Sequence, residues 1–99
     1  GGENIFPAEV EAAIRSTNLI QDIHVLGTPD SVWGQSVTAI FVPCEETTTI
    51  DQIKTELRSR LAAFKHPKRW IKIDQIPRTA QGKIKRDRIE EILKLFQHL

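Results

Sequence analysis

The apolar residues of this chain keep two different periods, and the switch between them constrains the fold more than any single motif. Over 22–27 they alternate, Ile23 and Val25 against His24 and Leu26, and over 35–43 they alternate again through Val37, Ala39 and Phe41. That is the period of a strand, and the Gly27-Thr28-Pro29-Asp30 stretch between the two runs carries a turn signal. On either side the spacing lengthens to three and four. Val10, Ala13 and Ile14 predict a short amphipathic helix over 7–17, with Pro7 suited to its first turn and Glu9 and Glu11 near its positive end. Ile50, Ile53, Leu57, Leu61 and Phe64 form a second stripe behind a capping box of Thr49 and Gln52, which predicts a helix ending near Phe64. Trp70, Ile71, Ile73 and Ile76 predict a short strand stopped at Pro77, residues 78–83 a loop, and Ile89, Ile92, Leu93 and Phe96 a third helix preceded by residues 86–88. The expected fold class is α+β: a small three-stranded sheet, with an extra hairpin as an option, flanked by three helices.

Ninety-nine residues make one domain, not two. A domain of this size buries roughly 60 to 65% of its unfolded surface, too little to enclose a deep pocket, so its chemistry is expected to need a partner surface. The lone Cys44 allows no internal disulfide and gives no zinc or iron–sulfur framework, which points to a reducing cytoplasm. No stretch resembles a secretory signal, and the longest apolar run, 37–42, is broken by Thr38 and far short of the ~20 residues that span a bilayer. The chain opens on Gly1-Gly2-Glu3-Asn4 without a Met, and the expectation is a piece of a longer polypeptide.

Charge is uneven. Residues 65–88 hold nine Lys and Arg against Asp74 and Asp87, net +7, whereas residues 1–64 are net −5 in a chain of net +1. An anionic partner is expected over 65–88. Within it, Arg78-Thr79-Ala80-Gln81-Gly82-Lys83 puts a lysine in a Gly-containing loop between a strand and a helix, where one mobile ammonium can be delivered to a phosphate or carboxylate. The order excludes the common phosphate-binding loop, because Ile84 follows Lys83 and only Ala80 and Gln81 separate Gly82 from Thr79. His24 reads as a surface or packing residue, Glu9 and Glu11 fall on different helix faces, and Cys44 has no activating neighbour.

Four blocks carry a resemblance: Gly1-Gly2-Glu3-Asn4-Ile5-Phe6-Pro7-Ala8-Glu9-Val10-Glu11, Pro29-Asp30 with Trp33-Gly34-Gln35, Phe64-Lys65-His66-Pro67-Lys68, and Pro77-Arg78-Thr79-Ala80-Gln81-Gly82-Lys83. In this order they resemble the successive signatures of the C-terminal domain of the adenylate-forming superfamily, which includes acyl-CoA synthetases, peptide-synthetase adenylation domains and luciferases. The match runs through nearly the whole chain. Within the superfamily it is most similar to the 2-succinylbenzoate-CoA and aryl-CoA ligases.

The resemblance implies a lid over residues 1–99 that rotates on a large N-terminal domain of the same polypeptide. The implied reaction has two steps: a small-molecule carboxylate and ATP give acyl-AMP, and CoA then displaces AMP. Lys83 is implied as the catalytic cation of the first step, reaching the carboxylate and the ATP phosphate. Gly1, Gly2 and Glu3 are implied to line the pantetheine tunnel in the second, with Phe64 stacking on the CoA adenine, His66 and Lys68 meeting its phosphates, and Trp33 near the same site. His66 departs from the expected arginine, replacing a permanent cation by a titratable one. ATP, CoA and Mg2+ are the implied ligands, bound largely by the N-terminal domain, whose phosphate loop and acyl pocket have no counterpart here. The chain alone is expected to be inactive, with no membrane span and no nucleic-acid partner. The rival class is a small basic nucleic-acid-binding module using 65–88 with Phe64 and Trp70 for stacking.

Overall fold

The computed structural model describes residues 5–30, 32 and 34–96. The elements are α1 (Pro7–Arg15), β1 (Ile20–Asp30), β2 (Gly34–Pro43), α2 (Ile50–Leu57), a 3-10 turn (Ala63–Lys65), β3 (Arg69–Lys72) and α3 (Arg86–Leu95). The strands form one sheet in the order β1-β2-β3, with β1 antiparallel and β3 parallel to β2. This is the expected α+β arrangement of three strands and three helices.

β2 is the middle strand, paired along both edges, and helices pack on both faces of the sheet, so residues 38–42 are buried without a break. Ala39 and Phe41 pack with Val10, Ile14, Ile53 and Leu57 beneath α1 and α2, while Ile40 and Val42 pack with Ile71, Ile76 and Ile89 beneath α3. The alternation read through Val37, Ala39 and Phe41 therefore described one of two buried faces. Phe41 is fully buried, which stabilises the fold by roughly 1.5 to 3 kcal/mol, and meets Trp70 edge to face at 5.9 Å.

Three boundaries differ from the sequence expectation. First, β1 does not turn at residues 27–30 but continues to Asp30, which pairs with Gly34 across the reversal. Pro29 is tolerated because β1 is an edge strand, and Gly27 serves a close approach, since a Cβ there would lie 2.5 Å from Ile5 Cδ1. Second, α2 stops at Leu57, well before Phe64. The capping box at Thr49 forms as expected, but Ala62 takes an extended conformation, so the chain turns back to β2, where Lys68 N–H donates to Val37 O. Leu61 reaches the core; Phe64 is carried outward and is 78% exposed. Third, β3 ends at Lys72 and α3 begins at Arg86, so Ile76 is buried outside any strand and residues 86–88 lie inside the helix.

Candidate functional site

Residues 78–84 close on themselves. Arg78 and Ile84 form an isolated antiparallel bridge that closes the loop expected over 78–83. Inside it Thr79 N–H donates to Lys83 O at 2.8 Å, Gly82 N–H to Thr79 O at 2.9 Å, and Lys83 N–H to Thr79 Oγ1 at 3.2 Å. Gly82 sits at φ +88°, a conformation that favours glycine. The turn thus engages both backbone groups of Lys83 and leaves its side chain exposed, with no ion pair among the described residues.

Arg78 ties this turn to the sheet. Its Nε donates to Asp22 Oδ2 and its Nη2 to Asp22 Oδ1, each at 2.9 Å, while Nη1 donates to Gly82 O at 2.8 Å. Asp22 follows a register slip between Ile20 and Asp22 in β1 and also accepts from Ile23 N–H at 2.8 Å. Burial alone would raise the Asp22 carboxyl, but hydrogen bonds from Arg78, Ile23 N–H and Arg15 hold it below the ordinary carboxylate value. The Asp22 partnership in turn raises Arg78, against a smaller effect of burial. His24 is lowered, chiefly by burial and also by Arg78, although Glu11 and Asp22 oppose the shift. His24 is thus a packing residue beside Glu11, whose carboxylate caps Val25 N–H at 2.9 Å.

The second group of expected residues lies on the short segment after α2. Phe64 projects from the 3-10 turn, and the neighbouring Lys65 ammonium lies 4.8 Å from the Phe6 ring and 5.5 Å from the Phe64 ring. Lys65 also donates to both carboxylate oxygens of Glu9, at 2.8 and 3.1 Å. His66 Nε2 bonds Leu61 O at 2.8 Å; a carbonyl can only accept, so Nε2 carries the proton and Nδ1 is left for another partner. Lys68 is exposed. Gly1, Gly2, Glu3 and Trp33 lie outside the described residues.

The basic segment is less available to an outside anion than its composition suggests. Lys65 is paired with Glu9, Arg78 with Asp22, and Arg69 donates to the carbonyl of Phe96. The described residues contain no group of three His, Cys, Asp or Glu side chains that could hold a metal ion, and none of their helices is long and apolar enough to cross a membrane. The sequence reading missed Asp22 and Arg78 as parts of this site. Arg78 stood within the recognised block without a role, and Asp22, 56 residues away, gave no signal.

Comparison with known proteins covers most of this geometry. The AMP-binding enzyme C-terminal domain matches residues 9–83. A 2-succinylbenzoate–CoA ligase of Listeria monocytogenes is 40% identical over 91 residues, which is 92% of this chain and 19% of that protein. An indoleacetate–CoA ligase of Aromatoleum aromaticum is 37% identical over 94% of this chain and 18% of its own length. Among solved structures, a Mycobacterium tuberculosis fatty acyl CoA synthetase superposes with a TM-score of 0.81 at 37% identity, covering 92% of this chain and 18% of that one. The Bacillus subtilis o-succinylbenzoate CoA synthetase bound to its acyl-adenylate intermediate gives 0.78 at 32% identity, covering 91% and 18%. This chain spans about a fifth of the length of the curated relatives it matches. It belongs to the family of AMP-binding enzyme C-terminal domains, and the enzymes of that family that it resembles are CoA ligases.

Proposed function

We propose that residues 1–99 are the mobile lid of an ATP-dependent carboxylate–CoA ligase, in the 2-succinylbenzoate–CoA ligase branch, working against a large N-terminal domain of the same polypeptide. The observation that carries this reading is Lys83: an exposed ammonium at the end of a turn that engages both of its backbone groups, so that the side chain can reach while its base stays fixed. In the adenylation step Lys83 meets the substrate carboxylate and the ATP phosphate and offsets charge as it develops. Mg2+ would supply further charge neutralisation on the phosphates of ATP; among the described residues no group of three His, Cys, Asp or Glu side chains converges, and its ligands are assigned to the N-terminal domain.

In the second step the lid turns, Lys83 withdraws, and Gly1, Gly2 and Glu3 line the path of the pantetheine arm, with Trp33 near the same site. Phe64 offers an exposed face to the CoA adenine, and Lys68 meets its phosphates, with His66 joining it through Nδ1 only when the ring carries a proton on both nitrogens. The exposure of Phe64 supports this role over that of a core residue.

The test is Lys83→Ala in the full-length ligase, with acyl-adenylate formation assayed apart from CoA transfer to a supplied acyl-adenylate. Adenylation is expected to fall by roughly two to three orders of magnitude while transfer persists. Survival of both half-reactions makes Lys83 an ordinary loop lysine.

A further inference from the structure

We propose that Arg78 is a positioning residue for adenylation, holding Asp22 of β1 and the Gly82 carbonyl together so that the turn presents Lys83 at one fixed place on the domain. The inference rests on the role given to Lys83 above. It adds a part that neither reacts nor binds substrate.

Arg78 could have been another cation for a phosphate. Its donors are engaged instead within the domain: two on Asp22 at 2.9 Å, one on Gly82 O at 2.8 Å and a longer contact to Ile23 O at 3.3 Å. A planar guanidinium can make this arrangement because its donors diverge in one rigid fork, and a lysine cannot. Asp22 is itself held, accepting from Ile23 N–H and from Arg15 at 3.4 Å.

The two ends of the turn are secured differently. Its base is fixed by the Arg78–Ile84 bridge and by Lys85 N–H donating to Pro77 O. The tip is open: nothing lies within 4 Å of where a Gly82 Cβ would stand. The only side chain that holds the tip from outside residues 79–83, among the described residues, is Arg78 through Gly82 O. Lys83 is the next residue. Misplacing a catalytic group by about 1 Å can lower a rate by on the order of 100-fold, so a tether one residue away controls that rate without touching substrate.

The test uses the full-length ligase carrying Arg78→Ala, Arg78→Lys or Asp22→Asn, with both half-reactions and the unfolding temperature measured for each. We expect the adenylation kcat to fall roughly 10- to 100-fold in all three, while CoA transfer to supplied acyl-adenylate stays within about 2-fold of the parent. Combined with Lys83→Ala, Asp22→Asn is expected to add no further loss, because the tether has nothing left to position. Should Arg78→Ala fail to fold, Asp22→Asn carries the test, since it keeps the side-chain shape while removing the charge and one of the two oxygens that accept from Arg78. Unchanged adenylation in Asp22→Asn and Arg78→Lys, an equal fall in both half-reactions, or losses that multiply in the Lys83→Ala background each overturn the proposal. Intact adenylation in Lys83→Ala alone overturns instead the role of Lys83, so the two failures are distinct.

Discussion

The ammonium of Lys65 lies 2.8 Å from Glu9 Oε1, joining the segment after α2 to the first turn of α1, 56 residues earlier in the chain. The rings of Phe6 and Phe64 flank the same ammonium. One cation therefore links the residues next to the Gly1-Gly2-Glu3 segment with the aromatic face proposed for adenine. Glu9 is half exposed, so the ion pair adds little stability and its effect is mainly geometric. In the full-length enzyme, Lys65→Ala is expected to raise the KM for CoA by roughly 3- to 5-fold and leave adenylation unchanged. A change in adenylation with no change in KM contradicts that assignment.

Stability should weaken in acid on two separate limbs. His24 is lowered in the folded state by burial and by Arg78 against the pull of Glu11 and Asp22, so below about pH 6.5 the unfolded chain takes up a proton that the folded one resists. Stability is full above that value and declines as pH falls toward the folded-state value. Asp22, also lowered, adds a contribution that is full above its ordinary value near 3.8 and is lost at still lower pH as its carboxylate is protonated away from Arg78. Denaturant unfolding followed from about pH 8 to about pH 2 should show both limbs, with His24→Gln removing the first and Asp22→Asn the second. At pH 7 Asp22→Asn should cost about 1 to 2 kcal/mol. A His24→Gln profile parallel to the parent excludes His24 as the source of the upper limb.

Local signals were the legible ones. The capping box at Thr49, Pro7 at the first turn of α1 and the helical spacing of Ile89, Ile92 and Leu93 each depend on neighbours within a few residues, and each formed. The blocks around Lys83 and Phe64 were readable for the same reason. What stayed hidden depends on distant partners. Gly27 looks like turn punctuation until Ile5 is placed against it, and the stripe through Phe64 looks like one helix until the chain must return to pair with β2. The positive segment 65–88 showed its charge in the sequence, but not that Glu9 and Asp22 neutralise two of its cations. Asp22 is the clearest case, because its role comes from a register slip in β1 and an arginine 56 residues away.

Thr28 and Thr38 share a hydroxyl–hydroxyl hydrogen bond of 2.8 Å across β1 and β2, and both are buried. Thr38→Val keeps the shape and leaves the Thr28 hydroxyl without that partner, so it should destabilise the domain by about 1 to 3 kcal/mol. Replacing both by valine removes the stranded group and should cost less than the sum of the two single changes. Additive losses in a double-mutant cycle, read by urea unfolding, show that the pair is not coupled.

Gly82 offers a way to separate backbone strain from packing. At φ +88° with open space around its Cβ position, an added Cβ meets no clash, and its cost is conformational. Gly82→Ala should lower stability by about 1 kcal/mol, Gly82→Asn by less, because asparagine enters the left-handed region more readily, and Gly82→Val by more, because its β-branched side chain is strongly disfavoured there. The same ranking is expected in adenylation by the full-length enzyme, since relaxing Gly82 shifts the carbonyl that Arg78 holds and the lysine that follows it. Thermal unfolding and acyl-adenylate formation, measured on all three variants, check the two rankings separately. Stability that follows the order with adenylation equal in all three means that Lys83 reaches its target from a turn free to change shape.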